Sequence, residues 1–145
     1  MESFTGEYAH SIDDKGRIAV PARFREALGD RFMVSKGLDG CLFVFPMEAW
    51  QEFEEKLLAI PMLGRDNRKL VRHFLSGAQP VVPDKLGRIL LPAPLREYGA
   101  LEKDVVTIGM GRRLEIWNSE AWAKESGFDD MEEVENRMVE LGIVF

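Results

Sequence analysis

Two five-residue runs carry the side chains with the most chemistry to offer: Asp13-Asp14-Lys15-Gly16-Arg17 and Asp84-Lys85-Leu86-Gly87-Arg88. An arginine presents a planar fork of donors. It can bond guanine O6 and N7 in bidentate fashion or hold a phosphate. Lys15, Gly16 and Arg17 are therefore the first candidates for contact with a polyanion, and Arg88 is the counterpart of Arg17. A structural alternative stands beside this one: Arg17 can pair with Asp13 and pin its own turn. Asp13 and Asp84 read as structural, because a carboxylate facing phosphate repels it. Each can accept a backbone N–H in an Asx-turn, with Gly16 or Gly87 taking the φ > 0 position of a hairpin.

Other basic residues follow. Arg25 and Arg96 occupy equivalent places after Pro21 and Pro92 and are candidates for phosphate contact. The alternative for both, and for Arg23, is a solvated helix face. Arg68, Lys69 and Arg72 lie near one face of a linking helix, where they can neutralise phosphates or pair with an acidic neighbour. His10, His73 and Cys41 have no metal-ligand spacing, so neither metal nor cofactor is expected. Gly109-Met110-Gly111-Arg112-Arg113 lacks the rest of a phosphate-cradle motif and reads as a hairpin turn. No nucleophile set falls in strand-to-helix context, so neither enzyme activity nor a small-molecule substrate is expected.

The formal charge of −6 argues against nucleic acid only until its distribution is considered. Between Arg65 and Arg96 there are seven basic and two acidic residues; between Glu115 and Glu140 there are nine acidic and two basic. A basic face can coexist with an acidic tail. Apolar residues make up 46% of 145, enough for a buried core. No apolar run approaches the ~20 residues that span a bilayer. Met1-Glu2-Ser3-Phe4-Thr5 shows no basic region before an apolar stretch, so no signal peptide is expected. The single cysteine, Cys41, forms no internal disulfide, and a cytoplasmic location is the default.

The elements that must position these side chains come in two copies. Residues 13–26 align with 84–97 at an offset of 71, and eight of the fourteen positions are identical. With one gap, Val34-Ser35-Lys36-Gly37 falls on Val106-Thr107-Ile108-Gly109, and Leu42–Phe45 falls on Leu114–Trp117. Each copy reads as hairpin turn, short strand, short helix, two strands and a closing helix. Pro21 and Pro92 suit the first helical turn, and Gly29 and Gly99 suit its end. Such a unit, near 45 residues, is too small for a stable core of its own, but two copies can cover each other. Residues 67–75 read as a basic amphipathic helix with Leu70, Val71, Phe74 and Leu75 inward, and 129–141 as an acidic helix.

The doubled Asp-x-x-Gly-Arg-x-x-x-Pro-Ala pattern resembles the AbrB-type DNA-binding fold. Two copies in one chain of this length, joined by a basic helix, resemble the MraZ family, and the resemblance covers nearly the whole chain. It implies an α+β fold of two tandem swapped-hairpin modules, packed as a pseudo-dimeric β-barrel with peripheral helices. The expected boundaries are 7–50 and 78–122 for the modules, 51–77 for linking helices and 123–145 for an acidic C-terminal helix or tail. It also implies a bacterial transcriptional regulator of cytoplasm and nucleoid. Its partner is double-stranded DNA at the promoter of a division and cell-wall gene cluster, its own operon included. Ring-like homo-oligomers are a further implication. A head-to-tail ring presents its hairpins in one rotational sense, so its target would be direct repeats about every 10 bp. The alternative class is a protein-interaction module of antitoxin type. One departure stands out: Leu86 occupies the place of Lys15. The first copy is therefore expected to read DNA and the second to support it.

Overall fold

A computed structural model describes residues 3–144. The first copy forms β1 (Glu7–Ser11), β2 (Arg17–Ala19), α1 (Ala22–Leu28), β3 (Phe32–Lys36), β4 (Leu42–Pro46) and α2 (Met47–Leu58). Helix α3 (Arg65–Gly77) links it to the second. There follow β5 (Gln79–Val81), β6 (Arg88–Leu90), α4 (Ala93–Tyr98), β7 (Asp104–Gly109), β8 (Leu114–Asn118), α5 (Ser119–Glu125) and α6 (Met131–Glu140). The repeated sequence thus folds into repeated elements.

Six strands form one antiparallel sheet in the order β1-β7-β8-β4-β3-β5, and β2 pairs with β6 as a separate ribbon. The order is the same from either end once each strand is exchanged for its counterpart in the other copy. Strand β1 lies on β7 of the other copy, and β5 lies on β3. In the ribbon Ile18 stands opposite Ile89, its own equivalent, and the backbone bonds Val20 N–Gly87 O and Leu91 N–Gly16 O flank that pair. Phe43 stands opposite its equivalent Glu115 in the same way.

Two expectations change here. The strands do not close into a barrel: the ladder is open, with β1 and β5 at its edges. Strands β2 and β6 are three residues long, bounded by Gly-containing turns and by Pro21 and Pro92, and they are too short to join both edges. The repeat alignment also slips by one residue in one strand. Val34 pairs with Val44 and Thr107 with Ile116, so Val34 corresponds to Thr107, not Val106. Two gaps are needed. The α4–β7 connection is longer than its counterpart, and the β7–β8 turn is shorter.

The core lies on both faces of the sheet. On one face Phe32, Val34, Leu42, Val44, Val105, Leu114 and Ile116 pack against Ile18 and Ile89 of the ribbon, Phe24 and Leu28 of α1 and Leu95 of α4. On the other, Met33, Phe43, Phe45, Val106, Ile108 and Trp117 pack against α2, Phe74 of α3 and Trp122 of α5. Burial on both faces explains why these strands read as continuous apolar runs. Helix α3 turns Val71 and Phe74 inward, whereas Leu70 faces solvent at 45% exposure. Pro21 and Pro92 sit one residue before the helices they were expected to open. Gly29 takes positive φ, but in the second copy that conformation falls on Ala100, not Gly99.

Candidate nucleic-acid interface

The ribbon alternates. Ile18, Val20, Ile89 and Leu91 point into the core, so Arg17, Ala19, Arg88 and Leu90 form the outward face. Arg17 stands across from Leu90, and Arg88 across from Ala19. A turn closes each end of this face. Gly16 lies in the turn at one end, and the turn glycine at the other, Gly87, is bonded to Val20. Gly16 and Val20 are four residues apart, so the two turns are about 13 Å apart at the β-strand rise.

Each turn is an Asx-turn with an added clamp. Asp13 Oδ1 accepts from the backbone N–H of Lys15 (3.0 Å) and Arg17 (2.8 Å), while Oδ2 accepts from Arg17 Nε at 2.7 Å. Asp84 does the same for Leu86, Arg88 and Arg88 Nε, at 2.9, 2.9 and 2.8 Å. The backbone N–H and then the side chain of Arg17 hold the Asp13 carboxyl below its ordinary value, and Arg88 does so for Asp84. The structural alternative for Arg17 is thus present in the fold. It does not consume the arginine, since the clamp takes Nε and both terminal guanidinium nitrogens have no hydrogen-bond partner among the described residues. Gly16 and Gly87 have φ of 84° and 76°, as the turn requires.

Arg25 and Arg96 are not on a plain solvated helix face. Each crosses to the turn of the other copy: Arg25 lies against Gly87, and Arg96 against Gly16. A side chain at either glycine would collide with the guanidinium. Arg25 Nε donates to Val20 O at 3.0 Å, while Arg96 Nε has no partner among the described residues. One end of the ribbon therefore gathers Lys15, Arg17 and Arg96, and the other Lys85, Arg88 and Arg25. Local sequence carried no sign of this crossing, because the partner comes from the other repeat. The linking helix stands apart: Arg68 donates to the carbonyls of Met62 and Leu63 (2.9 Å each) and so caps its own approach loop.

The remaining candidates resolve as structure. His10 bonds Thr107 Oγ1 at 2.7 Å, with its pKa lowered by burial, and His73 bonds the carbonyl of Gly37. Burial pushes the Cys41 thiol up to about 12. Among the described residues no three His, Cys, Asp or Glu side chains gather as a metal site. Gly109–Arg113 is the β7–β8 turn, closed by Met110 N–Arg113 O.

The family model described as "MraZ protein, putative antitoxin-like" matches twice, over residues 3–73 and 74–140. The chain belongs to the MraZ family. A relative from Heliobacterium modesticaldum is 53% identical over 142 residues, 97% of this chain and 99% of its own. One from Alkaliphilus metalliredigens is 51% identical with the same coverage. One from Desulfitobacterium hafniense is 57% identical over 123 residues, 85% of this chain and 86% of its own. All three carry the name "Transcriptional regulator MraZ". The two MraZ segments meet within α3, between His73 and Phe74, with one Asp-clamped turn in each.

Proposed function

We propose that this chain is a sequence-specific, DNA-binding transcriptional regulator and that the β2/β6 ribbon is its reading surface. The observation that carries the reading is the pair of clamped turns. Two arginines on one outward face are held by Asp13 and Asp84, with further guanidinium groups behind them. A two-stranded ribbon fits a major groove about 12 Å wide, comparable to the spacing of the turns. Lys15 and Arg17 reach base edges; Arg88, Arg25 and Arg96 hold phosphates and fix the register. The copies act as a pseudo-dimer, with modules at 7–50 and 78–122. This is supported by the facing of Ile18 with Ile89 and of Phe43 with Glu115. A double-stranded DNA partner accords with the relatives' names.

The target is a set of direct repeats upstream of a bacterial division and cell-wall gene cluster, its own operon included, and the chain works as a head-to-tail ring in the cytoplasm and nucleoid. Support for assembly comes from α6, which buries no residue and, with its C-terminal cap Leu141, exposes Met131, Val139 and Leu141 beside its acidic face. Weak boxes gain avidity when linked through one assembly. No helix among the described residues is long and apolar enough to cross a membrane. The test is a mobility-shift titration on the upstream region. A shift abolished by Arg17→Ala and weakened by altered box spacing is expected; no shift, or one indifferent to Arg17→Ala, overturns the assignment.

A further inference from the structure

We propose that Leu90 is a specificity-determining residue: it contacts the 5-methyl group of a thymine next to the base that Arg17 reaches, and this contact gives each chain's footprint a direction. The inference rests on the ribbon being the DNA-reading surface. Leu90 belongs to β6, whose Ile89 and neighbouring Leu91 are 1% exposed in the core, while Leu90 itself is 60% exposed on the opposite face. Core packing therefore does not account for it. It stands directly across from Arg17 in the ladder, where side chains on one face are in reach of each other. A charged partner or a threonine would suit a solvated arginine better. An isolated exposed leucine needs no explanation in general. This one lies between Arg17 and Arg88 on the face that DNA would desolvate.

The chemistry of the groove supplies the partner. Base edges in the major groove offer donors, acceptors and one apolar group, the thymine methyl. An aliphatic side chain beside a base-reading arginine has that methyl as its complement. The place equivalent to Leu90 in the first copy is Ala19, across from Arg88. One end of the ribbon thus presents arginine with leucine, the other arginine with alanine. Alanine ends at Cβ and reaches less far. The backbone registers are matched between the copies, yet the surface they carry is not. A ribbon of this kind reads an asymmetric box in one orientation, as direct repeats demand and a palindrome does not.

The experiment starts from duplexes that the full-length protein enriches from a randomised pool. Each thymine in the enriched box is replaced in turn by deoxyuridine, which removes only the methyl, and affinity is measured by fluorescence anisotropy. The expected result is one position per box where the replacement weakens wild-type binding by about fourfold, the worth of one buried methyl. Leu90→Ala should bind the thymine and deoxyuridine duplexes equally while still requiring Arg17. A wild-type protein indifferent to deoxyuridine at every position overturns the proposal without recourse to any variant. A methyl preference that survives in Leu90→Ala, with thermal unfolding unchanged, overturns it as well. Failure to enrich any duplex, or enrichment unaffected by Arg17→Ala, instead removes the DNA-reading assignment on which it rests.

Discussion

A single carboxylate organises each turn. Asp13 fixes the backbone through Oδ1 and holds Arg17 through Oδ2, so the shape of the turn and the position of the arginine depend on one side chain. The two roles are separable. Asp13→Asn keeps an acceptor for the backbone but offers an amide to Arg17 Nε, which is itself a donor. We expect thermal stability to change little and DNA affinity to fall about three- to tenfold, the cost of ordering one arginine anew on binding. Loss of the fold in this variant, or unchanged affinity, would count against the clamp. Protonation should act in the same direction. Both carboxyls lie below the ordinary 3.8, so their stabilising contribution is complete above that value and disappears as pH falls through their folded values. The fall in thermal midpoint between pH 5 and pH 3 should therefore be smaller in the Asp13→Asn, Asp84→Asn double variant than in the wild type.

At the level of elements, close approach decides more than propensity does. Gly109 ends β7 where the chain before β1 crosses it, with Gly109 N donating to Gly6 O at 2.9 Å. A Cβ at this position would fall on the backbone of Phe4 and Thr5, which cannot move aside as a flexible side chain can. Gly109→Ala should lower stability by at least ~1 kcal/mol and expose Phe4, read by denaturant titration and by protease cleavage near the N-terminus. Gly111→Ala is a weaker perturbation, because open space surrounds its Cβ and only its φ of 78° opposes it. Local pattern made much of this architecture legible. The doubled turn signal placed both turns and both short strands, although β1 and β5 pair with β7 and β3 rather than across those turns, and apolar runs placed β3, β4, β7 and β8. The residue-by-residue correspondence of β3 with its counterpart β7 was not legible, because Val34 matches Val106 by identity and only the pairing of each with β4 or β8 shows that it matches Thr107. A one-residue slip moves every side chain to the other face, so identity alone was misleading. The crossing of Arg25 and Arg96 was hidden for a related reason: nothing near either arginine in sequence reports on a turn about 60 to 80 residues away.

Over the whole molecule, each copy depends on the other for its strand partners. Strand β1 has its partner β7, and β2 its partner β6, in the second half of the chain; β3 and β4 reach into that half as well. Residues 1–77 alone would leave Ile18, Phe24, Val34, Leu42 and Val44 without the layer formed by Ile89, Leu91, Leu95, Leu114 and Ile116. A fragment of that size with half a core exposed does not hold a fold by itself. It does, however, carry a β2 whose counterpart is nearly its own sequence, with Ile18 facing Ile89. We therefore expect residues 1–77 to be unfolded at low concentration and to fold as a dimer at high concentration, with Ile18 opposite Ile18 of the second copy. Dichroism and sedimentation over a dilution series check this together, since a midpoint that rises with concentration marks folding coupled to association. Ile18→Asp should abolish the dimer, because it places an unpaired charge in the buried pair. A fragment that is folded and monomeric at every concentration would overturn the pseudo-dimeric reading and leave the doubled sequence as a matter of ancestry rather than of mutual support.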